Sequence, residues 1–232
     1  AVFDAFWEAW KQTQKVEYLE SCKSIGDFFI NDLNYNKSID GTICFSYTPL
    51  DNFEVHNINL MVSHCLLRLG KELKENKYYN LGITSAEFSI NQQNKDGSIF
   101  YWSKDQNFRD PFTIDHYHSG FELRALYGIW KVTKEKRFEN SFDKYYEFYR
   151  KELFIRKKEK IIPKIDPKNV YPIDIHSCAE AILLAATISN KDERALEDLK
   201  VLIPWVIKRM KLKSGYYRYL IRKIGFLEIP NN

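Results

Sequence analysis

Apolar positions recur along most of this chain at intervals of three and four, the spacing of helices with one buried face. In the second quarter, Leu60, His64, Leu67 and Lys71 mark one line of such a helix while Leu66, Leu69 and Leu73 fill its apolar side. Near the end, Ile182, Leu183 and Ala186, followed by Leu196, Leu199, Leu202, Ile203 and Val206, repeat the pattern. The polar interruptions are periodic as well. Gln14 to Tyr18, Lys74 to Tyr78 and Lys134 to Phe138 are charged or polar turns ending in an aromatic residue, and those aromatics stand sixty residues apart each time. A weaker copy, Asn190 to Ala195, follows fifty-seven residues on. A second kind of turn closes each unit with glycine and aromatic residues: Asp40-Gly41 to Phe45, Asp96-Gly97 to Tyr101 and Ser214-Gly215 to Tyr217. The third unit lacks that glycine and reads Lys160-Ile161-Ile162-Pro163-Lys164. The pattern predicts a repeated unit of helix, short turn, helix and return loop. The β-branched and aromatic pieces Thr42 to Tyr47, Ser98 to Trp102 and Tyr216 to Ile221 are expected to pair as small hairpins at one end.

Three helices are expected to begin with a histidine followed by a small polar residue: His56-Asn57, His118-Ser119 and His176-Ser177. The first two histidines are sixty-two residues apart and the last two fifty-eight. Equivalent turns of a helical repeat array open onto one shared mouth, so function is expected there.

Composition is that of an ordinary globular chain, with 44% hydrophobic and 28% charged residues. The aromatic share, 16%, is high. Tyr47, Tyr101, Trp102, Tyr117 and Tyr171 lie beside the return loops or helix starts, where aromatic faces either pack or stack on sugar rings. A net charge of +4 is too mild to argue for nucleic acid. The densest basic stretch, Arg150 to Lys160, reads as a solvated helix end and loop, though a polyanionic glycan would tolerate it. The four cysteines, Cys22, Cys44, Cys65 and Cys178, show no close pairing, the pattern of a reduced, cytoplasmic protein rather than a disulfide scaffold. No apolar run approaches the roughly 20 residues of a membrane span. The amphipathic start at Val2, Phe3, Phe6, Trp7 and Trp10 is abrupt, so a single domain over residues 1–232, trimmed at both ends, is expected.

Several segments together resemble a known family: Cys44 to Asp51, Val55 to Leu60, Asp96-Gly97-Ser98, Ile114 to Gly120 and Tyr171 to Ser177. They look like the motifs of a bacterial family of six-hairpin (α/α) toroid proteins found with genes for surface-polysaccharide synthesis. The resemblance covers nearly the whole chain. It implies an all-α, six-hairpin glycosidase-like toroid, of which about four hairpins are present. The wider fold group includes glycoside hydrolases, polysaccharide lyases and sugar epimerases, whose substrates lie at one end of the inner helices. By that resemblance the same end here carries His56, His118 and His176, with Asp51, Asp115 and Asp174 just upstream.

A histidine beside a carboxylate is a proton-transfer pair, because the carboxylate orients the ring and tunes its pKa. His118 and His176 are therefore the candidate proton carriers, with Asp115 and Asp174 orienting them or acting with them. Two aspartates across a cleft are alternatively the acid and base of glycoside hydrolysis. Tyr47, Asp51, His56, Asn57, Tyr101, Trp102 and Tyr171 are the candidate substrate contacts. Each has a simpler reading. Asp115 and Asp174 stand where helix N-caps stand, worth about 1 kcal/mol each, and Asp51 suits a turn after Pro49. Glu122 and Glu180, four residues after His118 and His176, read as local helix contacts, and His64 and His116 as structural. Ser119 and Ser177 adjoin their histidines and so do not face them.

No metal signature such as CxxC or HExxH is present, nor a glycine-rich phosphate loop, so no metal and no cofactor are expected. The expected partner is a polysaccharide or oligosaccharide, with no nucleic acid and no membrane span. Hydrolysis, elimination and epimerisation remain open chemistries for a surface polysaccharide or its precursor. Two rivals stand beside them: a glycan-binding or scaffold toroid without catalysis, and a zinc-dependent toroid acting on isoprenoid or peptide substrates.

Overall fold

The computed structural model of the chain describes residues 1–106, 113–224 and 227–231. Among the described residues eight helices form four consecutive antiparallel hairpins: α1 (Val2–Thr13) with α2 (Val16–Asn31), α3 (His56–Leu73) with α4 (Asn76–Asn91), α5 (His116–Thr133) with α6 (Lys136–Glu152), and α7 (Ile175–Ile188) with α8 (Glu193–Met210). The second helix of each hairpin packs on the first, α3 packs on α5, and α5 packs on α7. The first helices thus make an inner row and the second helices an outer row. Leu60, Leu67, Leu123, Leu126 and Ile129 of the inner row close on Phe138, Phe142, Tyr145 and Tyr149 of α6 in the largest buried cluster. Large buried aromatics supply most of the apolar area that holds the two rows together.

The sixty-residue period is written into the backbone. Gln14, Lys74 and Lys134 end α1, α3 and α5 in the left-handed conformation, with φ of 56°, 58° and 62°. Each sends its N–H back to the last turn, to the carbonyls of Trp10, Gly70 and Trp130. That geometry satisfies carbonyls left open by the helix end and reverses the chain into the next helix. Tyr78 and Phe138, at the matching place beyond the turn, are fully buried.

The return loops share a turn too. Asp40 accepts hydrogen bonds from the N–H and hydroxyl of Thr42, and Asp96 accepts the same pair from Ser98. Gly97, in the second of these turns, has φ +94°, which only glycine adopts freely, and a Cβ there would collide with the backbone carbonyl of Lys144. Small strands decorate this end. β1 (Tyr35–Lys37) pairs antiparallel with β2 (Ile43–Phe45), β3 (Phe154–Lys157) with β4 (Lys160–Pro163), and β5 (Ile173–Asp174) with β6 (Leu220–Ile224), which pairs with β7 (Leu227–Asn231). Ser98 to Trp102, expected as a hairpin strand, forms no named strand among the described residues, where Trp102 makes an isolated bridge to Val55. Tyr216 to Ile221 joins a strand only from Leu220, with a bridge from Tyr217 to Lys211 before it.

Among the described residues no helix is long and apolar enough to cross a membrane. All four cysteines are free and buried.

Candidate functional site

The inner helices begin at the end where the return loops lie, and each start is stitched to the next loop. The N–H of His56 donates to Tyr101 O, that of His116 to Ile165 O and that of Ile175 to Tyr219 O, each at 3.0 Å. These bonds fix the true register of the repeat: His56 matches His116, sixty residues on, rather than His118.

His56 and His116 share one environment. The His56 ring meets the Ser89 hydroxyl at 3.0 Å and Gln92 Oε1 at 3.3 Å. The His116 ring meets Leu153 O at 2.9 Å and the Tyr149 hydroxyl at 2.6 Å. Ser89 and Tyr149 each lie thirty-three residues after their histidine, on the facing outer helix. The rings are 1% and 0% exposed. Burial lowers their pKa to about 4 and about 3, so both are neutral spacers between the rows. Both nitrogens of His56, an expected substrate contact, are thus spent on protein. Asn57 is likewise buried, its Oδ1 turned to the N–H of Ile58. The same geometry bears out the structural reading of His116.

His118 and His176 stand two residues and one residue past those N1 positions, and they face outward. The Asp115 carboxylate caps α5, accepting from the His118 N–H with Oδ1 at 3.0 Å and meeting His118 Nδ1 with Oδ2 at 2.5 Å. Asp174 caps α7 with the same device, but there Oδ1 alone takes both the His176 N–H, at 2.6 Å, and His176 Nδ1, at 2.9 Å. Its Oδ2 has no hydrogen-bond partner among the described residues. Cap and ring-orienting duties therefore coincide in both aspartates. With Nδ1 held by the carboxylate, the tautomer inferred for each ring carries its proton there. Nε2 of each ring then has no hydrogen-bond partner among the described residues. The His118 side chain is 19% exposed and that of His176 62%, so the pairs differ in depth but both reach solvent.

Tyr117 joins them. Its ring centroid is 4.1 Å from that of His118 and 6.0 Å from that of His176. Tyr101 lies 4.4 Å from His118 on the other side, and Tyr219 5.9 Å from His176. Trp102 stands edge-on to Tyr101 at 4.8 Å. Burial pushes the Tyr101 hydroxyl up to about 12, followed by the fields of Tyr47, Tyr117, Asp115 and Glu122. Burial also raises Tyr117, with Asp115, Asp174, Tyr219 and Tyr47 adding to it. Ring contacts thus join Tyr101, His118, Tyr117, His176 and Tyr219 in one run along the helix starts, the mouth, with Tyr47 near enough for its charge to be felt by Tyr101 and Tyr117.

Other candidates fall outside that mouth or serve its frame. Asp51 shapes its loop, accepting from the N–H groups of Tyr47, Thr48 and Phe53 and from the Thr48 hydroxyl. Tyr171 donates to Glu228 on β7 at 2.5 Å. Glu122 is buried beneath His118, where it accepts from the Tyr145 hydroxyl, and burial holds its pKa well above the carboxylate range. Glu180 binds Arg124 of α5 through both carboxylate oxygens. Neither glutamate bonds the histidine four residues before it. Tyr219 was not legible as a site residue, because the pairing of β5 with β6 brings it in.

A separate cavity of about 560 Å³ lies deeper along the inner row, with Ile58, His64, Arg68, Phe121 and Arg124 in its wall. His118 and His176 do not line it, so the mouth is the better candidate for chemistry despite its shallowness. Among the described residues no three His, Cys, Asp or Glu side chains stand together as a metal site.

No family model matches the chain, and no curated protein matches it either. Solved structures do. A cellobiose 2-epimerase from Bacillus thermoamylovorans superposes over 99% of this chain and 65% of its own, with a TM-score of 0.67 and 13% identity. An unsaturated glucuronyl hydrolase specific for heparin matches over 99% of this chain and 68% of its own, with a TM-score of 0.66 and 15% identity. A GH76 α-mannanase from Bacteroides thetaiotaomicron matches over 94% and 63%, with a TM-score of 0.72 and 12% identity. The chain thus spans about two thirds of the length of these structures. At such identities the likeness is one of fold alone: the chain has an α/α-hairpin toroid architecture.

Proposed function

We propose that this protein is a carbohydrate-active enzyme working by general acid/base chemistry, with His118 and His176 as its proton carriers. The observation that carries the reading is the pair of His–Asp units on neighbouring helix starts, with Tyr117 between the two rings and both side chains reaching solvent. A ring whose Nδ1 proton is held by a carboxylate takes a proton at Nε2 with the developing imidazolium stabilised, which suits abstraction from and return to a sugar. Asp174 Oδ2 is a further acceptor beside the same opening. Tyr47, Tyr101, Trp102 and Tyr219 offer faces and edges against which a pyranose ring packs. The fold likeness to a hydrolase, an epimerase and a mannanase supports carbohydrate as the substrate class. A bacterial surface polysaccharide or its precursor is the target suggested by the family that the sequence motifs resemble, and a cytoplasmic location goes with the precursor.

The test is an assay of reducing-end release, unsaturated product and epimer formation on neutral and acidic oligosaccharides. The wild type is expected to turn over one class, and His118→Asn and His176→Asn each to lose 10²-fold or more, the scale of a general acid/base contribution. Full activity in both variants would overturn the assignment. The aromatic rim favours a second reading, a glycan-binding toroid, which predicts saturable binding with no turnover in any of these assays.

A further inference from the structure

The basic stretch Arg150 to Lys160 divides in the folded chain. Arg150 and Arg156 are spent on Asp198 of α8, and Lys151 on Glu152. Lys157, Lys158 and Lys160, at the tip of the β3–β4 hairpin, make no ion pair among the described residues. They face α8 across an open concavity of about 920 Å³, whose far wall carries Lys200, Lys208 and Arg209. Lys200 is paired with Glu197 and Arg209 with Glu228, while Lys208 makes no ion pair among the described residues. Six basic side chains thus surround the hollow against two acidic ones, Glu159 and Glu228. Its floor is apolar, with half-buried Trp205 beside Pro204, Val201 and Ile162.

We infer that this hollow is an accessory binding site for an acidic polysaccharide, lying beside the mouth and outside it. The inference rests on the carbohydrate reading given above. Three features select the ligand. Unpaired lysines at an exposed rim provide an attractive field without a fixed geometry, which suits repeating carboxylates or sulfates on a flexible chain. An aromatic floor suits the apolar face of a sugar ring. The hollow is also joined to the mouth: Glu228 links Arg209 to Tyr171, two residues before β5 and three before the Asp174 cap. A glycan lying in the hollow would extend past Glu228 and Tyr171 toward the start of α7 and His176.

The experiment measures binding of the whole chain to polygalacturonate and to neutral mannan of similar length, by affinity electrophoresis and calorimetry at 50 and 300 mM salt. Wild type is expected to bind the polyuronate, more weakly at high salt, and not the mannan. Lys157→Glu, Lys158→Glu and Lys208→Glu combined sit on exposed positions and are expected to keep the fold while losing at least tenfold in affinity. Trp205→Ala is expected to lose severalfold with its salt dependence unchanged, and Trp205→Phe to recover most of it. Equal affinity in the lysine variant, or no polyuronate binding by the wild type, would overturn the site. Tighter binding of duplex DNA or of anionic lipid vesicles, abolished by the same lysine changes, would overturn the ligand class. Polyuronate binding that survives in His118→Asn, with no turnover by the wild type on any glycan, would support the hollow while sinking the catalytic reading.

Discussion

The starts of α3 and α5 are the same structure with opposite uses. Both open on a histidine whose N–H is tied to a return loop and whose ring bonds the outer helix thirty-three residues on. In α3 the cap is Val55, the next residues are Asn57 and Ile58, and no side chain caps the helix. In α5 the cap is Asp115, followed after His116 by Tyr117 and His118, and the cap carboxylate holds an outward-facing ring. Two substitutions relative to a shared scaffold, one at the cap and one three residues later, separate a purely structural turn from a candidate catalytic one. The α7 start shows the same conversion by a shorter route, with cap and histidine two residues apart.

The comparison breaks most visibly if the two sets of histidines are exchanged in their effects. His56→Ala and His116→Ala are expected to cost about 2–4 kcal/mol of stability, because each leaves a cavity and unpartnered polar groups between the rows. His118→Asn and His176→Asn are expected to shift the urea midpoint little while removing activity. Large destabilisation by the mouth variants, with none from the buried pair, would reverse the two roles.

Acid sharpens the same contrast. His56 and His116 are held at about 4 and about 3, below the ordinary histidine value of 6.5, so the unfolded chain takes up protons that the folded one refuses. Their stabilisation is complete above pH 6.5 and is lost as pH falls toward those folded values. Between pH 7 and pH 5 each contributes a loss of about 2 kcal/mol, read as a falling urea midpoint. His116→Gln, less stable at pH 7, should lose less than the wild type over that interval. An identical slope in the variant would mean that His116 titrates freely.

The smallest effect separates two return loops. Gly41 and Gly97 both have positive φ, but a Cβ at Gly41 meets nothing within 4 Å while one at Gly97 strikes the Lys144 backbone. Gly41→Ala is expected to cost about 1 kcal/mol from conformation alone, and Gly97→Ala more than twice that. Equal melting temperatures for the two would deny that the second loop is clamped by α6.

Much of this was legible in the sequence, and its limits are instructive. The helix-ending turns at Gln14, Lys74 and Lys134 announced themselves as polar interruptions sixty residues apart, since a left-handed cap followed by an aromatic, buried at Tyr78 and Phe138, leaves a compositional mark. The caps Asp115 and Asp174 were readable for the same local reason. The register of the histidines was not, because His-Asn and His-Ser look alike along the chain while the hydrogen bond that aligns His56 with His116 comes from distant loops. Tyr219 is unreadable in principle from local pattern: it reaches His176 only because β6 pairs with β5 across forty-odd residues. Glu180 was read as a partner of His176, and packing of α5 on α7 gave it to Arg124 instead.

Asp115 spends one oxygen on the backbone and the other on a ring, whereas Asp174 spends one oxygen on both. A carboxylate that is simultaneously the first peg of a helix and the rest for an imidazole makes the position of the reactive nitrogen as reproducible as the helix itself. Drift at either aspartate is then penalised twice, in folding and in alignment. A lineage retaining this fold without catalysis would be free to move its histidines, yet would still feel pressure to keep the caps. The order in which those residues decay among relatives is therefore a record of whether chemistry was ever given up.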